Sequence, residues 1–212
     1  MIDRWALALL RPGLEAGARR LVRAEVGADA ITWVGFALGL CAAVCIARGA
    51  FVAGLVLMLA SRLLDGLDGA VARLTQPTDR GAFLDITLDF LFYASIPLAF
   101  AWADPARNAL AAATLLAAFV GTGSTFLAFA VLAQRRGWSS PVYPTKGLYY
   151  LGGLTEATET LCAFAAMCLW PQHFALIAWV FCAMCALTVL TRLWAGWAML
   201  SGRAMPAERN GP

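Results

Sequence analysis

From Asp29 to the end, the chain alternates long apolar segments with short polar breaks. The segments fall at roughly 31–48, 50–72, 82–103, 107–133, 147–169 and 174–200. Each is near the ~20 apolar residues that carry a helix through a hydrocarbon core. Six membrane-crossing helices are predicted. Ahead of them, Leu14, Ala18 and Leu21 recur at helical spacing while Arg19, Arg20 and Arg23 take the other side, the pattern of an amphipathic helix lying in the membrane interface. Its apolar runs are short, Pro12 interrupts them and arginines follow, so it does not read as a cleaved signal peptide. The expected organisation is all-α: an interfacial helix over 1–28, then a six-helix transmembrane catalytic domain over 29–212.

Composition agrees with this pattern. Of 212 residues, 61% are apolar and 14% charged, with a mean hydropathy of +0.73, against roughly 45–50% and 25% in soluble domains. A soluble globular protein is excluded. The net charge of +3 is too small to suggest nucleic-acid binding. Placing the N-terminus in the cytoplasm puts Arg4, Arg11, Arg19, Arg20, Arg23, Arg73, Arg80, Arg135, Arg136, Lys146, Arg203 and Arg209 inside, with Arg48 and Arg107 outside. The excess of inner cations predicts cytoplasmic N- and C-termini. Gly35 and Gly39 have the G-x-x-x-G spacing of close helix packing, within one chain or between two. The six cysteines lie in apolar stretches and read as packing residues, and His173 as a solvated residue of the outer turn before the last span.

The chemistry concentrates in Ser61 to Asp89, SRLLDGLDGAVARLTQPTDRGAFLDITLD, where four aspartates interrupt apolar helices. Intramembrane carboxylates are expensive and usually functional. Asp65 and Asp68 are three apart and Asp85 and Asp89 four apart, so each pair shares a helix face. The short turn between them makes the two helices antiparallel neighbours and brings the pairs face to face near the cytoplasmic interface. Only Arg62, Arg73 and Arg80 are near enough to compensate them. Oxygen-only ligands suit hard cations such as Mg2+ or Mn2+, and two such ions could hold a diphosphate. Arg73 is placed to bind a phosphate oxygen, while Gly66, Gly69, Ala72 and Gly81 remove bulk where a ligand could lie against backbone.

At these residues the sequence resembles the CDP-alcohol phosphatidyltransferase family, whose signature is D-x-x-D-G-x-x-A-R followed, usually after eight residues, by G-x-x-x-D-x-x-x-D. The matches are Asp65, Asp68, Gly69, Ala72, Arg73, Gly81, Asp85 and Asp89, with seven residues in the interval Leu74 to Arg80. The resemblance implies displacement of CMP from CDP-diacylglycerol by the hydroxyl of a small alcohol, in a homodimer of a bacterial inner membrane with its site open to the cytoplasm. It implies that Asp65, Asp68 and Asp85 hold metal, and that Asp89 completes a second metal site and acts as general base. It further implies that Arg73 binds the diphosphate and that Gly69, Ala72 and Gly81 make room for the nucleotide. Asp29 and Thr32 stand where family members carry P-N-x-x-T, and are expected near the nucleotide.

Two groups compete for the acceptor. Arg135, Arg136 and Lys146 flank the inner loop before the fifth span and suit a phosphorylated alcohol, with glycerol 3-phosphate favoured. Glu156 and Glu159 form a second carboxylate pair suited to an amine or a polyol. The alternative acceptors are serine, choline and inositol, or inositol phosphate. A different class, an ion-coupled transporter, would place its carboxylates near the midplane within an inverted repeat; here they gather at one interface and no repeat is visible.

Overall fold

The computed structural model describes residues 2–138 and 153–201, with side chains from Arg11 onward. Every regular element among the described residues is helical: α1 (Ile2–Arg23), α2 (Ala28–Ala47), α3 (Phe51–Leu74), α4 (Asp79–Ala103), α5 (Pro105–Arg135), α6 (Ala157–Leu169) and α7 (Phe174–Leu200), with a 3-10 turn at Pro171–His173. Lys146 lies outside the described residues.

Four helices among the described residues, rather than six, are long and apolar enough to cross a membrane: α2, α4, α5 and the Pro171–Leu200 unit containing α7. The two that differ do so for different reasons. α3 has the length, 24 residues, but carries Arg62, Asp65, Asp68 and Arg73. α6 is apolar but has only 13 residues, about 20 Å at 1.5 Å per residue.

Short connections dictate the packing. Gly49, at φ +78°, adopts the left-handed conformation that lets α2 turn directly into α3, and Ala50 N closes the turn by donating to Cys45 O at 2.8 Å. Asp104 caps α5, accepting from Arg107 N at 3.2 Å and from Arg107 Nε. Those bonds, the side-chain one foremost, hold the Asp104 carboxyl below its ordinary pKa. α2 packs along α3 and α4, α4 on α5, and α5 on α7.

Small residues and aromatic rings make these contacts. Gly35 faces Leu64 Cβ in α3, and Gly39 faces Phe92 in α4, where an added Cβ would meet Phe92 Cδ2 at 2.7 Å. The G-x-x-x-G pair thus serves packing within the chain. Phe51, Phe100 and Phe174 stack in series, with centroids 5.6 and 4.6 Å apart. The outward faces stay apolar, with Trp102, Val120, Trp194 and Trp197 all at least 70% exposed, a surface suited to lipid rather than water.

α1 begins well before Leu14 and passes through Pro12, which removes one N–H from the helical ladder without ending it. Ala18 is fully buried, and Leu14 and Leu21 pack with it against Ala70 and Val71 of α3, while Arg19, Arg20 and Arg23 are exposed. Gly17 and Gly66 admit Leu67 and Leu14 across this contact. α1 therefore lies against the same half of α3 that carries the aspartates.

Candidate active site

Four residues, 75–78, separate α3 from α4. Thr75 N closes α3 onto Val71 O, and Thr78 opens α4 by accepting from Gly81 N at 3.0 Å, so the seven-residue interval is taken up by two capped helix ends. This tight hairpin sets Asp65 and Asp68 of α3 opposite Asp85 and Asp89 of α4. Asp65, Asp68 and Asp85 each offer a carboxylate oxygen, all within 4.8 Å of one another. Three oxygens of hard, anionic character at this separation fit one divalent cation. Asp68 is buried, Asp65 half-buried and Asp85 exposed, so the cluster opens to one side. A cleft lined by Thr32, Gly35, Phe36, Arg62, Asp65, Asp85, Leu88 and Asp89 leads into it.

Asp89 stands apart from the trio. Its Oδ1 accepts from Arg62 Nη1 at 2.5 Å, and the same nitrogen is 3.5 Å from Asp65 Oδ1. The guanidinium lies flat on Phe92, 3.8 Å from the ring centroid, and its Nη2 is 3.3 Å from Ser61 Oγ. Ser61 is fully buried and donates to Gly35 O at 2.7 Å.

The start of α2 closes the site from the other side. Thr32 Oγ1 donates to Asp68 Oδ2 at 2.6 Å and lies 3.1 Å from Ala28 O. Asp29 pairs with Arg80 at 2.6 Å, and its Oδ1 would be 3.3 Å from a Cβ added to Gly81. A Cβ on Gly69 would meet Arg73 Nη1 at 3.2 Å. Thus Thr32 touches the cluster directly, Asp29 meets Gly81 at the start of α4, exposed Arg73 folds back over Gly69, and Ala72 is half-buried on the same stretch of α3.

The acceptor candidates are dispersed. Arg135 and Arg136 are exposed at the end of α5, where Arg136 Nη2 donates to Leu200 O at 3.2 Å and the guanidinium lies 5.2 Å from the Trp138 ring. Glu156 and Glu159 form a capping box at the start of α6, each side chain accepting from the other residue's backbone N–H. Neither lines the cleft.

Sequence pattern did not single out Arg192 of α7, which is 7% exposed and donates to Thr122 O at 3.0 Å. Beside it Thr188 Oγ1 accepts from Leu154 N and Thr155 N, pinning that segment to α7. The available signal was a single arginine in an otherwise apolar segment, a costly placement that marks function or a buried network.

Inner membrane protein YnjF of Escherichia coli K12 is 50% identical over 200 residues, covering 94% of this chain and 97% of that one. Archaetidylinositol phosphate synthase of Methanothermobacter thermautotrophicus is 46% identical over 70 residues, 32% of this chain and 36% of its own length. The fold matches that of Mycobacterium tuberculosis phosphatidylinositol phosphate synthase in two crystal structures. One has CDP-DAG bound (TM-score 0.68, 23% identity, 87% of this chain and 93% of that one). The other is in complex with manganese and citrate (TM-score 0.68, 23% identity, 87% and 88%). Residues 26–190, which include the whole aspartate hairpin, match the pattern that defines CDP-alcohol phosphatidyltransferases, and the chain belongs to that family.

Proposed function

We propose that this chain transfers the phosphatidyl group of CDP-diacylglycerol to a hydroxyl of inositol phosphate, releasing CMP. The convergence of Asp65, Asp68 and Asp85 beside Asp89, at the family's signature positions, carries this reading. A divalent cation, Mg2+ or Mn2+, on the three carboxylates would neutralise charge on the diphosphate and on the departing CMP. Arg73, beside Gly69, holds a diphosphate oxygen, and the Cβ-free faces of Gly69 and Gly81, with Ala72, admit the nucleotide between α3 and the Asp29–Thr32 end of α2. Asp89 takes the proton of the acceptor hydroxyl as that oxygen attacks the phosphorus bearing the diacylglycerol.

Inositol phosphate replaces glycerol 3-phosphate as the favoured acceptor because both named synthases among the similar proteins make inositol phosphate lipids. The case for a phosphorylated acceptor rests on charge. Arg135, Arg136 and Lys146 supply cations on the loop side of α5, and inositol phosphate shares with glycerol 3-phosphate the dianion they suit. Glu156 and Glu159, occupied in capping α6, are weaker acceptor contacts.

The same reading places the protein in a bacterial inner membrane, as the name of its Escherichia coli relative supports. α1, within 1–28, lies along the cytoplasmic interface, and 29–212 form the catalytic domain of a homodimer. Six crossings, with α3 and α6 among them, keep both termini and the site cytoplasmic.

The test is the purified protein in lipid nanodiscs with labelled CDP-diacylglycerol, Mg2+ or Mn2+, and a panel of glycerol 3-phosphate, serine, choline, inositol and inositol phosphate. The expected result is phosphatidylinositol phosphate with equimolar CMP, abolished by EDTA and by Asp65→Asn, Asp68→Asn or Asp85→Asn. Phosphatidylglycerol phosphate as the product would overturn the acceptor. Ion movement without CMP release from any pair would overturn the reaction and favour a transporter.

A further inference from the structure

Two features in which this chain differs from the family pattern meet at one contact. Asp29 puts a carboxylate where the P-N-x-x-T pattern has a neutral asparagine, and the hairpin is one residue short, with Arg80 directly before Gly81. In the fold, Arg80 Nη2 lies 2.6 Å from Asp29 Oδ2. The carboxylate's other oxygen faces Gly81, where an added Cβ would meet Asp29 Oδ1 at 3.3 Å and Thr78 Oγ1 at 3.2 Å. The pair thus ties the start of α2 to the start of α4 at the rim of the aspartate site.

Arg80 does nothing for its own helix. It stands in the first turn of α4, where the unsatisfied N–H groups favour anions and oppose a cation. Thr78 already caps that turn by accepting from Gly81 N, and Asp79 supplies the acid that the turn prefers. What Arg80 gains comes from Asp29, whose side chain is only 28% exposed against 79% for the arginine. A carboxylate that has lost most of its water needs a partner. Of the other arginines around the site, Arg62 serves Asp65 and Asp89, and Arg73 lies over Gly69. Beside Asp65, Asp68, Asp85 and Asp89, an unneutralised Asp29 would add one more negative charge facing an anionic ligand.

We propose that Arg80 is a positioning residue of the nucleotide site: it neutralises Asp29 and holds its carboxylate at the edge of Gly81, so that this acid does not repel the diphosphate of a cytidine diphosphate ligand. This rests on reading the Asp29–Thr32 end of α2 as the nucleotide side of the site. Arg80 acts through Asp29 and does not itself touch the ligand. An exposed ion pair contributes up to about 1 kcal/mol, which is about fivefold in an equilibrium constant, and salt screens it.

The test is calorimetric titration of the full-length protein in nanodiscs with CDP and Mg2+, at about 0.1 M and about 1 M NaCl. At the lower salt Arg80→Gln is expected to bind CDP roughly three- to fivefold more weakly than wild type, and Arg80→Lys, which keeps the charge, to recover most of the loss. In an Asp29→Asn background the same Arg80→Gln change should cost less than about twofold, because the charge it compensates is gone. The loss in Arg80→Gln should shrink at the higher salt. An equal loss in both backgrounds would overturn the inference, since the arginine would then meet the ligand directly. Unchanged or tighter CDP binding in Arg80→Gln would also overturn it and leave the proposed reaction standing. No CDP binding by wild type would overturn the nucleotide-site reading itself, and the inference with it.

Discussion

Thr32→Val isolates one hydrogen bond to a carboxylate of the proposed cation site. Thr32 Oγ1 donates to Asp68 Oδ2 at 2.6 Å across 36 residues of sequence. Valine has nearly the same shape, so the packing of α2 on α3 survives while the donor is lost. A hydrogen bond to a charged group contributes roughly 1.5–3 kcal/mol, and about 1.4 kcal/mol is a factor of ten in an equilibrium constant. The expected weakening of metal binding is therefore roughly ten- to hundredfold, the range found for groups that orient metal ligands. The hydroxyl also lies 3.1 Å from Ala28 O, so Thr32→Ser, which keeps the donor, is the necessary control. The assay is Mn2+ titration by calorimetry, paired with the Mn2+ dependence of CMP release. The apparent Mn2+ constant should rise in Thr32→Val and stay near wild type in Thr32→Ser, while turnover at saturating Mn2+ changes little. Thr32→Val within about threefold of wild type, or Thr32→Ser as weak as Thr32→Val, would refute the reasoning.

Asp89→Asn should lower kcat far more than it lowers CDP-diacylglycerol affinity, because a base acts in the transition state; an affinity loss equal to that of Asp65→Asn would count against its role as base. Gly81→Leu should abolish nucleotide binding, since even a Cβ there comes within 3.2–3.3 Å of Thr78 Oγ1 and Asp29 Oδ1; unchanged CDP-lipid affinity would show that Gly81 serves only helix packing. At the opposite end of α4, Asp104 has a folded-state pKa below its unfolded one, so its charge stabilises fully above the ordinary value of about 4 and ceases to as pH falls through the folded value. Asp104→Asn, which can still cap α5, should lower Tm at neutral pH by an amount that shrinks on acidification; a constant Tm difference from pH 7 to pH 3 would contradict this.

Much of this protein is local and therefore written in its sequence. Hydropathy marks the apolar segments, because a stretch meant for lipid must be apolar along its length. The Asp65–Asp68 and Asp85–Asp89 spacings put each pair on one helix face, and a four-residue connection leaves the two helices no arrangement but an antiparallel one, so the convergence of the carboxylates could be read without coordinates. Tertiary structure decided how those carboxylates are shared. Arg62 reaches Asp89 across 27 residues because Gly39, on a third helix, leaves room for the Phe92 ring on which it lies. Thr32 reaches Asp68 because α2 packs along α3. Glu156 and Glu159, at a spacing that suits a ligand pair, cap α6 instead, since where a helix begins decides whether its carboxylates are spent on its own N–H groups. Spacing along one helix specifies which residues share a face, and the side chain that meets them there is chosen by the packing of the other helices.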